Sequence, residues 1–303
     1  ESKIDYKYVS QIHMINTITP SSTKQLTFSK ESSTQPSWSP DGKQLAFVRV
    51  VDTKPQIFIL SLDGGEAKQF TRTKYGAANP KWSPGGKQLL FSSTITLTDL
   101  LKDSVSNPAK EIPLWSLEKP GFDKNENLKA SIAKANPDGN LDEIRAYLIK
   151  NEADKKARVL TKLNFQDETN ISAETNFIQY YTTPVQDSAK PKLITKGFYR
   201  FNNVDFTPDG KLILSGFIDS TQNLDRALEN QILTANADGS NLKVLLGKPN
   251  VNYNNATISP SGKWIAYQYG NTSFVEVPQL AIMQVNSTNQ NVITIPLDRN
   301  KAQ

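Results

Sequence analysis

The chain has no cysteine in its 303 residues. That removes disulfides, thiolate metal ligands and a cysteine nucleophile from consideration. It has one histidine, His13, and one imidazole cannot build a histidine-rich metal centre. His13 sits in an apolar strand pattern and reads as a partly buried strand residue. No Gly-x-Ser-x-Gly elbow presents a serine to it, and no glycine-rich phosphate loop is present. Carboxylate pairs such as Asp142-Glu143 read as helix-start charges rather than catalysts. No apolar run approaches the ~18 residues of a membrane helix, and no signal peptide is visible. The expectation is a chain with no catalytic residue, no metal and no cofactor.

Charge adds little. The net charge is +5 and the pI is near 9.1. The lysines are spread through turns and strand edges with acids between them. That describes a solvated surface, whereas a nucleic-acid face would need basic clusters interleaved with aromatics. Neither nucleic acid nor a membrane is expected as a partner.

What the chain does have is a repeat. Trp-Ser-Pro-Asp-Gly-Lys begins at Trp38, Trp-Ser-Pro-Gly-Gly-Lys at Trp82, Phe-Thr-Pro-Asp-Gly-Lys at Phe206 and Ile-Ser-Pro-Ser-Gly-Lys at Ile258. Proline presets φ for the first central position of a turn, and glycine accepts positive φ at its close. An apolar strand follows each box, as in Gln44-Leu-Ala-Phe-Val and Trp264-Ile-Ala-Tyr. Two further strands complete the unit. One starts at Gln11, Gln56, Gln231 or Gln279, and the other at Lys24, Lys68, Lys192 or Lys243. Four antiparallel strands recurring at roughly 40–50 residues describe a β-propeller blade.

The register is regular. Thr27, Thr71 and Thr195 each lie 11 residues before Trp38, Trp82 and Phe206. The step from Trp82 to Phe206 is 124 residues, too long for a plain blade. Val159-Leu-Thr161 is not followed 11 residues later by a turn box. The spacing therefore predicts one blade over 79–197 with a partly helical insertion at about 98–157. Leu97–Leu101 starts a short helix, and Leu141–Lys156 is amphipathic with acids in its first turn. The insertion is an edge decoration or a lid or docking element, since long loops on rigid scaffolds often bind partners.

The predicted fold is all-β: a partial β-propeller over 1–303, with four-stranded blades at 36–73, 79–197, 204–246 and 256–295 and a half blade at 11–28. Trp38, Trp82 and Phe206 are expected to be buried between blades. Both ends read as cut, because Gln11 begins the third strand of a blade whose first two strands are absent.

The blades resemble those of the prolyl oligopeptidase family of serine peptidases, in particular its acylaminoacyl-peptidase and dipeptidyl-peptidase-like members. The turn boxes occur equally in TolB, a periplasmic propeller. The more specific stretch is Ala157-Arg-Val-Leu-Thr-Lys-Leu-Asn-Phe-Gln-Asp-Glu168. It is similar to a family segment Arg-Val-Ile-Thr-Arg-Leu-x-Tyr-Arg-x-Asp-Gly that follows an insertion within a blade. Gln166 and Glu168 depart from that pattern. The strands Asn176-Phe-Ile-Gln-Tyr-Tyr181 and Lys192-Leu-Ile-Thr195 follow in the family's order. The resemblance implies the propeller half of a serine exopeptidase. A C-terminal α/β-hydrolase domain would supply Ser, Asp and His, peptides would be the substrate, and the location would be periplasmic or secreted. Trp115 and Glu118, in the insertion, are the candidate substrate-binding residues. The alternative is a TolB-like periplasmic propeller that binds protein partners.

Overall fold

The computed structural model describes residues 8–19, 22–115, 133–150, 175–186, 188–219, 221–224, 226–272, 277–285 and 293–295. The chain divides into two compact units, one of 1–111, 176–219 and 228–303, the other of 112–175 and 220–227.

The first unit is built of antiparallel sheets in chain order. A two-stranded sheet pairs β1 (His13–Ile15) with β2 (Thr23–Gln25). Four-stranded sheets follow. The first is β3 (Ser33–Trp38), β4 (Gln44–Val51), β5 (Lys54–Ser61) and β6 (Lys68–Gln69). The second is β7 (Ala78–Trp82), β8 (Gln88–Thr96), β9 (Asn176–Pro184) and β10 (Lys192–Leu193). The third is β11 (Arg200–Phe206), β12 (Leu212–Phe217), β13 (Gln231–Ala235) and β14 (Lys243–Leu246). The fourth is β15 (Val251–Ile258), β16 (Trp264–Asn271), β17 (Gln279–Gln284) and β18 (Ile293–Ile295). Each is a simple meander, as a blade should be. Among the described residues no strand joins the β1–β2 sheet to the β15–β18 sheet. The fold is an incomplete β-propeller.

The turn boxes behave as their chemistry requires. Gly42, Gly86, Gly210 and Gly262 sit at φ of 70°, 68°, 80° and 71°, a region that costs other residues a steric penalty. The hydroxyl of Ser39 donates to Asp41 Oδ1 and accepts from the Gln44 N–H, at 2.6 and 2.9 Å. Gln88 and Trp264 likewise donate backbone N–H to Ser83 and Ser259.

The threonine spacing has a physical cause. Thr27, Thr71 and Thr195 are buried. Their hydroxyl oxygens accept the backbone N–H of Ile12, Ile57 and Tyr180 at 2.9, 2.8 and 2.8 Å. Each outer strand is short, so a third-strand N–H is left without a ladder carbonyl, and the hydroxyl takes its place. The chain then crosses to the next sheet along a link of fixed length.

The core lies between successive sheets. Ala46, Val48 and Ile57 of one sheet pack with Trp82, Leu89, Phe91 and Tyr181 of the next. Leu90 and Tyr180 pack with Phe201, Val204 and Leu214, and Ile213 and Ile232 with Tyr253, Ile265 and Tyr267.

Three expectations need correction. Trp38 is 47% exposed, although its equivalent Trp82 is 8% exposed. The sheet before Trp82 has four strands to cover it; the sheet before Trp38 has two. Phe206 is half-buried against the Leu90–Leu214 cluster. His13 lies in β1 as expected, but its side chain is exposed.

The long interruption falls between β8 and β9, at residues 97–175. It opens in the first unit with α1 (Leu97–Lys102), capped by Thr96, whose hydroxyl accepts the Asp99 N–H at 3.1 Å. In the second unit α2 spans Leu141–Lys150. Asn140 Oδ1 accepts from the N–H groups of Asp142 and Glu143, and Glu143 Oε2 accepts from the Asn140 N–H. This reciprocal cap fixes the helix start. The remainder of the Leu141–Lys156 helix expectation, Val159–Thr161 and the Ala157–Glu168 stretch lie outside the described residues.

Candidate functional site

Two polar assemblies in the first unit are candidates for function. One lines the first strands of successive sheets. Each of these strands carries a bulge, and Gln35, Asn79 and Asn255 occupy it with φ near 52°. A bulge turns the local side chains out of the ladder and frees them for other contacts. Gln35 Oε1 accepts the Asn79 N–H at 2.7 Å. Lys81, just before Trp82, donates to Asn203 Oδ1, the Val204 carbonyl and Asp205 Oδ2, at 3.1, 3.1 and 3.0 Å. Asp205 stands just before Phe206, so the pair joins equivalent positions of neighbouring sheets.

The row continues across the third and fourth sheets. Arg200 donates to the Glu229 carbonyl at 2.7 Å and to Asn230 Oδ1 at 3.0 and 3.2 Å. Its guanidinium lies over Phe217, 5.8 Å from the ring centre. Burial pulls the Arg200 pKa down. Buried Asn230 passes the contact on, donating to Asn252 Oδ1 and Asn254 Oδ1, both at 2.9 Å. The row is a strip of amide groups that also carries two cations, Lys81 and Arg200. Amides both donate and accept, so such a strip suits the backbone of an extended peptide.

The second assembly is the root of the insertion. Asp103 follows α1 and its side chain is 7% exposed. It accepts from the N–H groups of Ser106 and Val105 at 2.7 and 3.1 Å and from the Tyr75 hydroxyl at 3.0 Å, with Lys74 Nζ at 3.5 Å. Burial by itself raises the Asp103 pKa, but these donors outweigh it and hold the carboxyl below its ordinary range. Burial pushes the Tyr75 hydroxyl up. Ser106 then donates to Gln179 Oε1 at 3.0 Å, which also accepts from the Tyr181 hydroxyl at 3.0 Å. Gln179 is the repeat glutamine of β9. In the preceding sheet its counterpart Gln56 stays local, accepting from Thr71 and donating to the Thr73 carbonyl at 2.8 and 3.0 Å. In the interrupted blade the same residue anchors the insertion instead.

Of the two predicted site residues, Trp115 is buried in the second unit at 7% exposure, and Glu118 lies outside the described residues. Among the described residues no cluster of three His, Cys, Asp or Glu could hold a metal, and no helix is long and apolar enough to cross a membrane. Sequence reasoning missed Lys81, Asp205 and Asp103. The first two were findable: each precedes a turn-box aromatic, where Ser37 and Thr257 stand in the other sheets.

Comparison with known proteins extends the picture. Residues 4–107 match the family model described as the TolB beta propeller domain. No curated protein matches the chain. Among solved structures, TolB from Acinetobacter baumannii is 18% identical, with a TM-score of 0.50 over 96% of this chain and 50% of its own. A putative TolB from Agrobacterium tumefaciens is 14% identical, with a TM-score of 0.53 over 95% of this chain and 74% of its own. A puromycin-hydrolyzing peptidase from Mycobacterium tuberculosis is 11% identical, with a TM-score of 0.54 over 96% of this chain and 36% of its own. The chain thus spans half the length of the first of these proteins and about a third of the last. Residues 4–107 carry the sequence pattern of a TolB-type β-propeller domain, and the fold of the chain is a β-propeller.

Proposed function

We propose that this chain is the non-catalytic propeller of a serine exopeptidase, periplasmic or secreted, that admits short peptides to a hydrolase domain borne by the same parent protein. The observation that carries this reading is the interrupted blade. Residues 97–175 leave the sheet after β8 and return at β9, and buried Asp103, Ser106 and Gln179 pin their root. A scaffold that builds buried polar anchors for a long excursion uses it, because each anchor has a desolvation cost. The strip from Lys81 to Asn254 offers a peptide backbone both donors and acceptors. The likeness of fold to the puromycin-hydrolyzing peptidase accords with this role.

The test is the reading frame. Some 250 residues with a Gly-x-Ser-x-Gly elbow beyond Gln303, on the scale of a typical domain, are expected, and the parent should react with a fluorophosphonate while residues 1–303 do not. A stop codon soon after Gln303 refutes it, as does intrinsic peptide hydrolysis by residues 1–303. Deleting 98–157 from the parent should change kcat/KM unequally across peptides; uniform ratios make the insertion a decoration.

The match of residues 4–107 to the TolB model favours a second reading, a periplasmic propeller that recruits protein partners through the same polar strip. A stop codon together with saturable protein binding that K81M abolishes would select it.

A further inference from the structure

Arg49 interrupts the apolar run Leu45-Ala-Phe-Val-Arg-Val-Val51 of β4. Leu45 and Leu89 both stand opposite a turn-box tryptophan. Four residues on, the first sheet has Arg49 and the second has Ser93. The fold therefore does not require a cation there.

The arginine is half-buried on the face that carries Phe47, since alternate strand residues share a face. Its guanidinium lies 5.2 Å from the centre of the Phe47 ring and 4.8 Å from that of Phe58. Nη2 and Nε donate to Ser33 Oγ at 3.1 and 3.4 Å. The two rings pack against the group, and the hydroxyl accepts from two of its nitrogens. None of these partners is an anion, and among the described residues no carboxylate pairs with it. A guanidinium has five donors in a planar fork that matches a carboxylate. The group is half-buried, and this partial burial lowers its pKa.

Arg49 lines a cavity of about 350 Å³. Leu26, Phe28 and Leu60 supply its apolar walls, and the exposed carboxylate of Glu66 stands in the lining. A cavity of this size falls at the lower end of small-ligand sites. An apolar body would cover the leucines and its anionic end would meet the fork. Glu66 opposes a second negative charge.

We propose that Arg49 and these walls form a binding site for an aliphatic monocarboxylate, either a free acid or the terminal carboxylate of an apolar residue. The site is independent of the peptide strip and of the peptidase reading.

An NMR shift titration of the 1–303 chain tests it, with 4-methylpentanoate as ligand and 4-methylpentanamide as its uncharged counterpart. The acid should bind saturably and at least tenfold more tightly than the amide. Arg49→Met keeps an unbranched stem between the rings and should remove that preference. Arg49→Lys, which keeps the charge without the fork, should retain part of it. Glu66→Gln should tighten the acid about twofold, the effect of removing one exposed like charge. Acetyl-Gly-Gly-Leu assigns the source: binding as tight as the acid's indicates a chain terminus, and weaker binding a free acid. Absence of saturable acid binding overturns the site, as does equal affinity for acid and amide. A preference that survives in Arg49→Met overturns it as well. Should Arg49→Met fail to fold, the comparison of acid and amide on the unaltered chain decides.

Discussion

The indole N–H of Trp82 donates to the carbonyl oxygen of Ser37 at 3.0 Å. The bond ties the first strand of one sheet to the first strand of the sheet before it. Trp38 follows Ser37 at the equivalent position, with a two-stranded sheet before it, and is 47% exposed. One repeat residue therefore has two energetic roles.

Trp82→Ala should cost about 3–5 kcal/mol, the range for truncating a buried aromatic. Trp38→Ala should cost no more than about 1 kcal/mol, because far less apolar surface returns to water. Urea denaturation of both variants measures the contrast. Equal losses would mean that the sheet before Trp38 covers it after all.

Thr71→Val keeps the shape of the side chain and removes the acceptor of the Ile57 N–H and the donor to Gln56 Oε1. Leaving the buried Ile57 N–H unpaired should cost about 1–3 kcal/mol, while Gln56 Oε1 keeps the Thr73 N–H at 3.1 Å. Thr71→Ser retains the hydroxyl and should recover most of the loss. A valine variant as stable as the parent chain would reduce the threonine spacing to a sequence habit.

Alkaline pH should destabilise the chain. Burial pushes the hydroxyls of Tyr180 and Tyr267 up to about 12, against about 10 in an unfolded chain. Between those values the folded state holds protons that the unfolded state has released, so stability falls as pH rises. Below about pH 10 the contribution is complete. Tyr267→Phe should flatten the decline in stability measured from pH 9 to 12, and an unchanged slope would refute the assignment.

Asp103 acts at the opposite end of the scale. Its folded pKa is depressed, so its contribution is present above the unfolded value near 3.9 and is lost as pH falls through the folded one. Asp103→Asn should weaken the acid limb of the stability profile and raise hydrogen exchange at Val105 and Ser106. Exchange rates there that do not change would remove Asp103 from the root of the insertion.

The blades were legible in the sequence because their determinants are local. Pro-Asp-Gly sets φ at Gly42 and Gly210 whatever surrounds it, and strand alternation follows within the same few residues. The threonine spacing was legible because a link of fixed length gives a fixed count. Tertiary structure decided what depends on neighbours. Trp38 and Trp82 open equivalent turn boxes, and the number of strands in the preceding sheet separates their burial. Gln56 and Gln179 both begin the inner part of a third strand, and Ser106, far along the chain, diverts one of them. Arg49 reads as one charge in an apolar strand until Phe47, Phe58 and the walls around it are in place. Local backbone preference is written residue by residue, whereas burial and partnership depend on contacts between distant parts of the chain.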